Sequence, residues 1–237
     1  MRIITQNDFG GPEVLSIEEA PEPRPLPTEV TVRVKAIGLN PLEALMRAGV
    51  FPLLGKPPFV LGWDISGVVE VAQTWRFMPG DEVFGMPNFP RAANAYAEVV
   101  SAPALHLVRK PSVRSHVEAA ALPTVGLTAW QGLVDLGGVS EGDRVLVHGA
   151  DGGVGHFAIQ IAKAFGAQVV ATASASKRES DRSRSSFRGP RRGNSGQSRR
   201  HSRAGYGPRR PPSSRCRRSQ ASPSRWPGGT VQPVPPR

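Results

Sequence analysis

The stretch 144-RVLVHGADGGVGHFAIQIAKAFGAQVVATA-173 decides the fold of this chain. The apolar run at 144–148 predicts a buried strand, and residues 169–170 open a second one. Between them an apolar face follows the 3.6-residue helical period, through Val154, Ala158, Ile161 and Phe165. Gly166 stands where a helix C-terminus favours positive φ. The stretch therefore predicts one strand–helix–strand unit, of the length that a mononucleotide-binding half requires.

The turn between the first strand and the helix is rich in glycine and reads GADGGVG at 149–155. Glycines permit a tight turn and let the backbone approach a pyrophosphate, whose charge is stabilised at a helix N-terminus. The spacing is a variant of G-x-G-x-x-G, and its strand–turn–helix–strand context predicts a dinucleotide site. A purely structural glycine turn is the alternative. The predicted phosphate-binding residues are Gly149, Gly152, Gly153, Val154 and Gly155.

The end of the second strand predicts which nicotinamide cofactor binds. An NAD site usually carries Asp or Glu about 20 residues past the glycines, where it holds the ribose 2′-hydroxyl. Here the run 172–178 reads TASASKR and contains no acid. Hydroxyls and cations suit a 2′-phosphate, so we expect NADP(H), held by Ser174 and Lys177. The alternative is that Lys177 only begins a basic, solvated tail.

The first 120 residues show the pattern of short antiparallel strands. Glu29–Ile37 alternates apolar and polar side chains, as a half-buried strand does. Further strands are predicted at 64–72, 81–84 and 95–101, and helices at 117–121 and 124–136. Glycine and proline punctuate these strands, which favours a compact, barrel-like first domain.

Residues 180–237 differ in composition from the rest of the chain. They hold 15 arginines and a single acid, whereas the whole chain has a formal net charge of +11, so residues 1–179 are slightly acidic. This tail lacks Leu, Ile and Met. It cannot bury enough apolar surface to offset the entropy of ordering its backbone, roughly 1–2 kcal/mol per residue, and we expect it to be disordered.

Cysteine and hydropathy exclude several classes of protein. Cys216 is the only cysteine, which rules out an internal disulfide and a cysteine-based zinc cluster. No apolar run approaches the ~20 residues that span a bilayer, and the N-terminus lacks the features of a signal peptide. We expect a cytoplasmic protein without membrane partners.

Several motifs in the first 130 residues carry a family resemblance. They are GLNP at 38–41, LGWDISGVV at 61–69, PGDEVFG at 79–85, AYAE at 95–98 and GLTAW at 126–130. With the glycine turn, their order and spacing resemble the medium-chain dehydrogenase/reductase superfamily, and most closely its zinc-independent quinone oxidoreductase branch. The resemblance covers nearly all of residues 1–179.

The resemblance implies an α/β architecture in three parts. These are a GroES-like β-barrel domain at 1–120, an incomplete NADP-binding Rossmann domain at 121–179 and the disordered tail at 180–237. Because the family pattern stops at Glu179, we expect a chain whose tail arose by a frameshift or a mis-joined gene. Intact relatives can form homodimers, which we do not expect here.

The resemblance also implies a chemistry. The alcohol dehydrogenase branch has Cys where Asn40 stands and a His-Glu pair at 63–64, so we expect no metal. Hydride transfer from NADPH to a quinone or an activated alkene or enone is implied, with solvent supplying the proton. By similarity the catalytic residues are Asn40, near the nicotinamide and substrate, and Thr128, near the nicotinamide. Alternatively, Asn40 is only a turn residue before Pro41, and Thr128 only carries a hydroxyl on the helix surface.

Two questions stay open at this point. Four apolar residues line a substrate cleft or pack the barrel core, and the sequence does not separate the two: Leu42, Met46, Phe51 and Phe89. The alternative function is that of a non-catalytic remnant whose arginine-rich tail binds nucleic acid non-specifically. No specific nucleic-acid partner is expected.

Overall fold

The structure is a computed structural model that describes residues 1–174, and all of these belong to one compact unit. The predicted contact Lys177 and the tail at 180–237 lie outside the described residues. The predicted division into domains at 120/121 stays a prediction.

Ten strands and four α-helices follow one another along the described part. In chain order they are β1 (Arg2–Gln6), β2 (Leu15–Glu19), β3 (Glu29–Ile37), α1 (Pro41–Arg47), β4 (Phe59–Val60), β5 (Ile65–Ala72), β6 (Glu82–Gly85), β7 (Val99–Pro103), β8 (Leu107–Arg109), α2 (His116–Ala120), α3 (Pro123–Trp130), β9 (Arg144–Val147), α4 (Gly153–Ala164) and β10 (Gln168–Ala171).

Two antiparallel sheets form the N-terminal part. One has the order β7-β3-β5-β6-β8 and the other β2-β1-β4. They meet where the amide of Ile4 donates to the carbonyl of Tyr96, 2.8 Å away, beside an isolated bridge between Ile3 and Ala97. The short, curled sheets confirm the predicted barrel-like first part.

The alternation in β3 explains why this strand is central. Val30 and Val32 are fully buried, whereas Lys35 on the opposite face is exposed. Burying each such valine contributes roughly 1.5–3 kcal/mol. The remaining core is apolar and comes from the other four strands of the larger sheet and the segments beside them: Ile65, Val69, Phe77, Val83, Ala95, Val100, Ala102, Ala104 and Leu107.

The strand–helix–strand unit predicted at 144–173 is confirmed. β9 and β10 pair in parallel, with Val145 beside Val169 and Leu146 beside Val170. Helix α4 covers one face, where Val145 and Val169 pack against its apolar side chains. Gly166 ends the helix with φ of +81°, as predicted. On the other face Leu146 and Val170 are 55% and 57% exposed.

Several elements differ from the sequence expectation. Helix α1 was not predicted, because it is only seven residues long. The helix expected at 124–136 is divided into α3 and a π-helical turn at Gln131–Leu136. The strand expected at 95–101 begins only at Val99, because the preceding residues bond across both sheets instead of extending one ladder. None of the helices in residues 1–174 is long and apolar enough to cross a membrane.

Candidate cofactor site and cleft

The glycine turn lies at the junction of β9 and α4. Gly149 follows the strand with φ of +62°, a conformation that favours glycine. The amide of Gly152 donates to the carbonyl of Gly149 over 3.0 Å, which closes the turn. Gly152 is then the N-cap of α4 in an extended conformation. The turn therefore occupies the predicted position, directly between strand and helix.

Gly155 packs the start of the helix against the turn itself. A Cβ at this position would lie 2.7 Å from the Cα of Ala150 and closer still to the carbonyl oxygen of Gly149. Ala150 is fully buried, so this backbone has no room to move. The third glycine of dinucleotide-binding turns serves the same close packing of helix and strand.

The N-terminus of α4 offers free amide donors to an anion. The first bond within the helix runs from the amide of His156 to the carbonyl of Gly152, over 2.9 Å. The amides of Gly153, Val154 and Gly155 precede it, and helix geometry leaves such first-turn amides without a partner inside the helix. Gly152 and Gly153 are exposed, and the helix dipole adds positive potential there. These residues fit a pyrophosphate.

The carboxyl ends of β9 and β10 place a polar group beside the turn. His148 Nδ1 lies 3.0 Å from the hydroxyl of Thr172. The hydroxyl of Ser174 lies 3.3 Å from a carboxylate oxygen of Asp151. Ser174 is thus next to the glycine turn, as a contact to the cofactor's adenosine half would require. An acid, Asp151, therefore lies beside Ser174 within the turn, although the strand-end run 172–178 contains none.

The buried carboxylate of Asp64 lies beside Asn40, one of the two predicted catalytic residues. Asn40 is the N-cap of α1, and its side-chain Nδ2 donates to Asp64 Oδ2 over 3.0 Å. Asp64 directly precedes β5 and is 1% exposed. Burial raises the pKa of Asp64, and the hydrogen bonds it accepts from Asn40 and Thr124 oppose that rise.

The other oxygen of the same carboxylate caps α3. Asp64 Oδ1 accepts from the amide of Thr124 at 3.0 Å and from its hydroxyl at 2.7 Å. The local N-cap residue is Leu122, which has no side-chain acceptor. Asp64, 60 residues earlier, therefore satisfies a first-turn amide of this helix and places negative charge at its positive end.

Thr128 does not touch Asn40 directly. It lies one turn after Thr124 on α3, is exposed, and donates its hydroxyl to the carbonyl of Thr124 over 2.7 Å. The same helix contacts the glycine turn, because a Cβ on Gly153 would lie 3.0 Å from Val125. Helix α3 thus connects the Asn40 group to the N-terminus of α4. The cofactor contact predicted for Thr128 stays a prediction.

A second buried carboxylate, that of Glu43, accepts a hydrogen bond from the main chain of Asn40. Glu43 is 2% exposed, and its Oε2 accepts from the amide of Asn40 at 2.9 Å and from the hydroxyl of Tyr96 at 3.0 Å. Its Oε1 is buried without a hydrogen-bond partner in the described part of the chain. Burial raises the pKa of Glu43, and burial together with the Glu43 charge raises the pKa of Tyr96. The three-residue spacing of Asn40 and Glu43 is that of a capping box, a signal that the sequence analysis missed.

An apolar cleft of about 580 Å³ lies between the barrel and the two helices α3 and α4. Its walls include Phe89, Met86, Leu127 and Phe157. Phe89 is held edge-on against Trp63, with ring centroids 5.4 Å apart. Of the four apolar residues left open by the sequence, Phe89 therefore lines a cleft.

The other three of those residues do not line this cleft. Met46 is 1% exposed and packs in a core cluster with Leu61 and Trp63, and Leu42 packs against that cluster. Phe51 is 48% exposed. Core packing is the reading that the structure supports for Met46 and Leu42.

One further cluster has the geometry of a hydrolase triad without its accessibility. Ser66 Oγ lies 2.8 Å from His116 Nδ1, and His116 Nε2 lies 3.1 Å from Glu82. Ser66 is fully buried, and its hydroxyl also donates to the carbonyl of Val83 over 3.1 Å. A substrate cannot reach this hydroxyl, so the cluster ties α2 to the sheet. Within residues 1–174 no group of three His, Cys, Asp or Glu is placed to hold a metal ion.

The chain is similar in sequence and in fold to known proteins. Residues 26–112 match the alcohol dehydrogenase GroES-like domain family. The quinone oxidoreductase of Homo sapiens is 35% identical over 176 residues, which cover 73% of this chain and 53% of that protein. The quinone oxidoreductase of Escherichia coli, solved in complex with NADPH, superposes with a TM-score of 0.70 at 31% identity, over 78% of this chain and 56% of that one. The CurK enoyl reductase superposes with a TM-score of 0.71 at 31% identity, over 77% of this chain and 57% of that one.

The N-terminal part of this chain is a quinone oxidoreductase-like medium-chain dehydrogenase/reductase. This confirms the resemblance drawn from the motifs. The chain spans about half the length of the human relative. The quinone oxidoreductase-like part contains both the glycine turn and Asn40 with its hydrogen-bond partners Asp64 and Glu43.

Proposed function

We propose that the quinone oxidoreductase-like part belongs to an NADPH-dependent oxidoreductase that reduces a quinone or an enone without a metal. The observation that carries the proposal is the glycine turn, whose first-turn amides lie at the N-terminus of α4 directly after a parallel strand. The names of the human relative and of the enoyl reductase structure support the two substrate classes. The NADPH in the Escherichia coli structure supports the cofactor.

Bound NADPH would supply a hydride, that is, a hydrogen nucleus with two electrons, to a quinone carbonyl or to the β-carbon of an enone. The residues of the chain bind and orient. The amides of Gly153, Val154 and Gly155 hold the pyrophosphate at the positive end of α4. Asn40, fixed between Asp64 and Glu43, orients polar groups at the reacting end.

The apolar cleft suits the body of a flat, carbonyl-bearing substrate. Its lining by Phe89, Met86 and Leu127 excludes water and binds through apolar contact. The one proton that completes the reduction comes from solvent, because Glu43 and Asp64 are both buried and engaged in hydrogen bonds. No metal is required in this scheme, since quinones and enones are activated acceptors that can take a hydride without a Lewis acid.

Cofactor preference is tested by calorimetric titration of the full chain with NADPH and with NADH. We expect NADPH to bind at least about tenfold more tightly, because hydroxyls and cations at 172–178 suit a 2′-phosphate. Lys177→Ala should weaken NADPH binding and leave NADH binding unchanged. Equal affinity for the two cofactors would reject the NADPH assignment, and binding of neither would reject the dinucleotide site.

Turnover is measured separately from binding. The full chain is mixed with NADPH and either a benzoquinone or an α,β-unsaturated ketone, and loss of NADPH absorbance is followed. Oxidation that depends on one acceptor identifies the substrate class. Binding of NADPH without oxidation in the presence of either acceptor would reject the reductase activity while keeping the cofactor site.

A further inference from the structure

We propose that Asp64 is the positioning residue of this site, which fixes the orientation of the Asn40 amide and joins it to the start of α3. The proposal builds on the proposed function, but its main observation is independent of it. A single buried carboxylate receives three hydrogen bonds, from the side chain of Asn40 and from the amide and hydroxyl of Thr124.

The carboxylate determines which end of the Asn40 amide faces it. Because Asp64 Oδ2 accepts this hydrogen bond, Asn40 presents its NH₂ group to the carboxylate and turns its carbonyl oxygen away. The backbone amide of Asn40 is held separately by Glu43 Oε2. Two buried carboxylates thus fix both the main chain and the side chain of the residue predicted to act at the nicotinamide.

The same carboxylate connects Asn40 to the cofactor turn. Asp64 caps the first turn of α3 through Thr124. The next residue, Val125, lies against Gly153 at the start of α4. A displacement of Asp64 would therefore shift Asn40 relative to the turn, and a misplacement of about 1 Å can cost about 100-fold in rate.

Asp64→Asn tests the orientation with little change in shape. The new amide can accept from Thr124 through its oxygen, which leaves its NH₂ group facing Asn40. The Asn40 amide must then rotate to present its oxygen, and its own NH₂ protons lose the buried acceptor. The direct readout is solvent exchange of the Asn40 side-chain NH₂ protons by NMR, assigned with Asn40→Ala. We expect exchange to accelerate at least about tenfold in Asp64→Asn.

Ser66→Ala is the matched control. Ser66 is fully buried, lies two residues further along the same segment and also makes buried hydrogen bonds, but it has none to Asn40. Its substitution should leave the exchange of the Asn40 protons unchanged. Equal acceleration in both variants, or none in Asp64→Asn, would overturn the proposal. This readout decides the role of Asp64 even in a chain that proves not to oxidise NADPH.

Kinetics give a second, independent test. Asp64→Asn should lower kcat about 100-fold, while KM for the acceptor and the Kd for NADPH change by less than about threefold. If Asp64 acts through Asn40, the double variant Asp64→Asn/Asn40→Ala should be no slower than Asn40→Ala alone. Losses that multiply would show that Asp64 acts by another route. A wild-type chain that binds no NADPH would reject the proposed function and leave the exchange experiment to decide on Asp64.

Discussion

Gly155 is the residue at which the cofactor turn accepts no side chain. Gly155→Ala would press a methyl group into the backbone of Gly149 and Ala150. We expect this variant to lose roughly 1–3 kcal/mol of unfolding free energy, measured by urea denaturation, and to lose NADPH binding with it.

Gly152→Ala is the matched substitution in the same turn. Its Cβ would lie 3.3 Å from the carbonyl oxygen of Gly149, and its φ of −81° suits any residue. We expect it to lose only about 0.5–1 kcal/mol of stability, because glycine is preferred to alanine at an N-cap, while NADPH binding weakens because the methyl group faces the open surface where the phosphates approach. Equal losses of stability in the two variants would contradict the packing role of Gly155.

Glu43 makes stability depend on pH. Because burial raises its pKa above the ordinary value of 4.5, the folded protein holds this proton more tightly than the unfolded chain. Its stabilising contribution is complete below pH 4.5 and is lost as pH rises through the folded-state pKa. Glu43→Gln keeps an oxygen for Asn40 and Tyr96 and carries no charge.

The variant should therefore gain free energy of unfolding relative to wild type as pH rises from 4.5 towards 8, as seen in denaturation series at several pH values. A difference between variant and wild type that stays constant across this range would contradict a raised pKa.

The sequence located single residues well where a local pattern defines them. The glycine positions and Asn40 followed from motifs, and the structure puts both at element boundaries. It could not reveal that Asp64 joins Asn40 to Thr124, because these residues lie 24 and 60 positions from Asp64 and only the folded chain brings them together. Burial raises the pKa of Glu43, and burial is likewise a property of the fold.

The elements of the chain show the same division between local and long-range information. β3 was predicted with its observed bounds, because alternation over nine residues is a strong periodic signal. The two-residue β4 and three-residue β8 exist only because neighbouring strands pair with them, and no local pattern marks them. The π-helical turn after α3 likewise continues a helical pattern whose hydrogen bonding the sequence does not specify.

The uncovered face of the β9–β10 pair gives a prediction at the scale of the element. Leu146 and Val170 are paired neighbours on this face and more than half exposed, whereas Val147 on the α4 side is 8% exposed. Leu146→Thr/Val170→Thr should cost less than about 0.5 kcal/mol per site and reduce self-association of the full chain, measured by light scattering. Val147→Thr should instead cost roughly 1–3 kcal/mol, because it buries a hydroxyl.

Unchanged scattering in the double variant would show that this face is not the origin of association. Equal destabilisation by the double variant and by Val147→Thr would show that both faces of the strand pair are packed in solution.

At the scale of the whole molecule, charge is divided unevenly along the chain. Fifteen arginines fall in residues 180–237, outside the described part, while residues 1–179 are slightly acidic. We expect the full chain to bind single-stranded RNA without sequence preference, by phosphate neutralisation. With six or more phosphate contacts, the affinity should fall at least about 300-fold between 50 and 200 mM salt, as measured by filter binding. A preference for one RNA sequence that persists at the higher salt would instead indicate a specific nucleic-acid function.

The packing of Trp63 gives the protein a built-in optical reporter. The chain has four tryptophans; Trp63 is 2% exposed and stacks edge-on against Phe89 at the cleft, whereas Trp75 is 93% exposed. The emission maximum of buried Trp63 should be shifted to shorter wavelength, and iodide should quench it poorly. The emission maximum of exposed Trp75 should lie at longer wavelength, and iodide should quench it readily. In a background that keeps Trp63 alone, with Trp75, Trp130 and Trp226 each replaced by Phe, an intensity change on adding an acceptor would therefore record the arrival of that acceptor beside Phe89, without any attached dye.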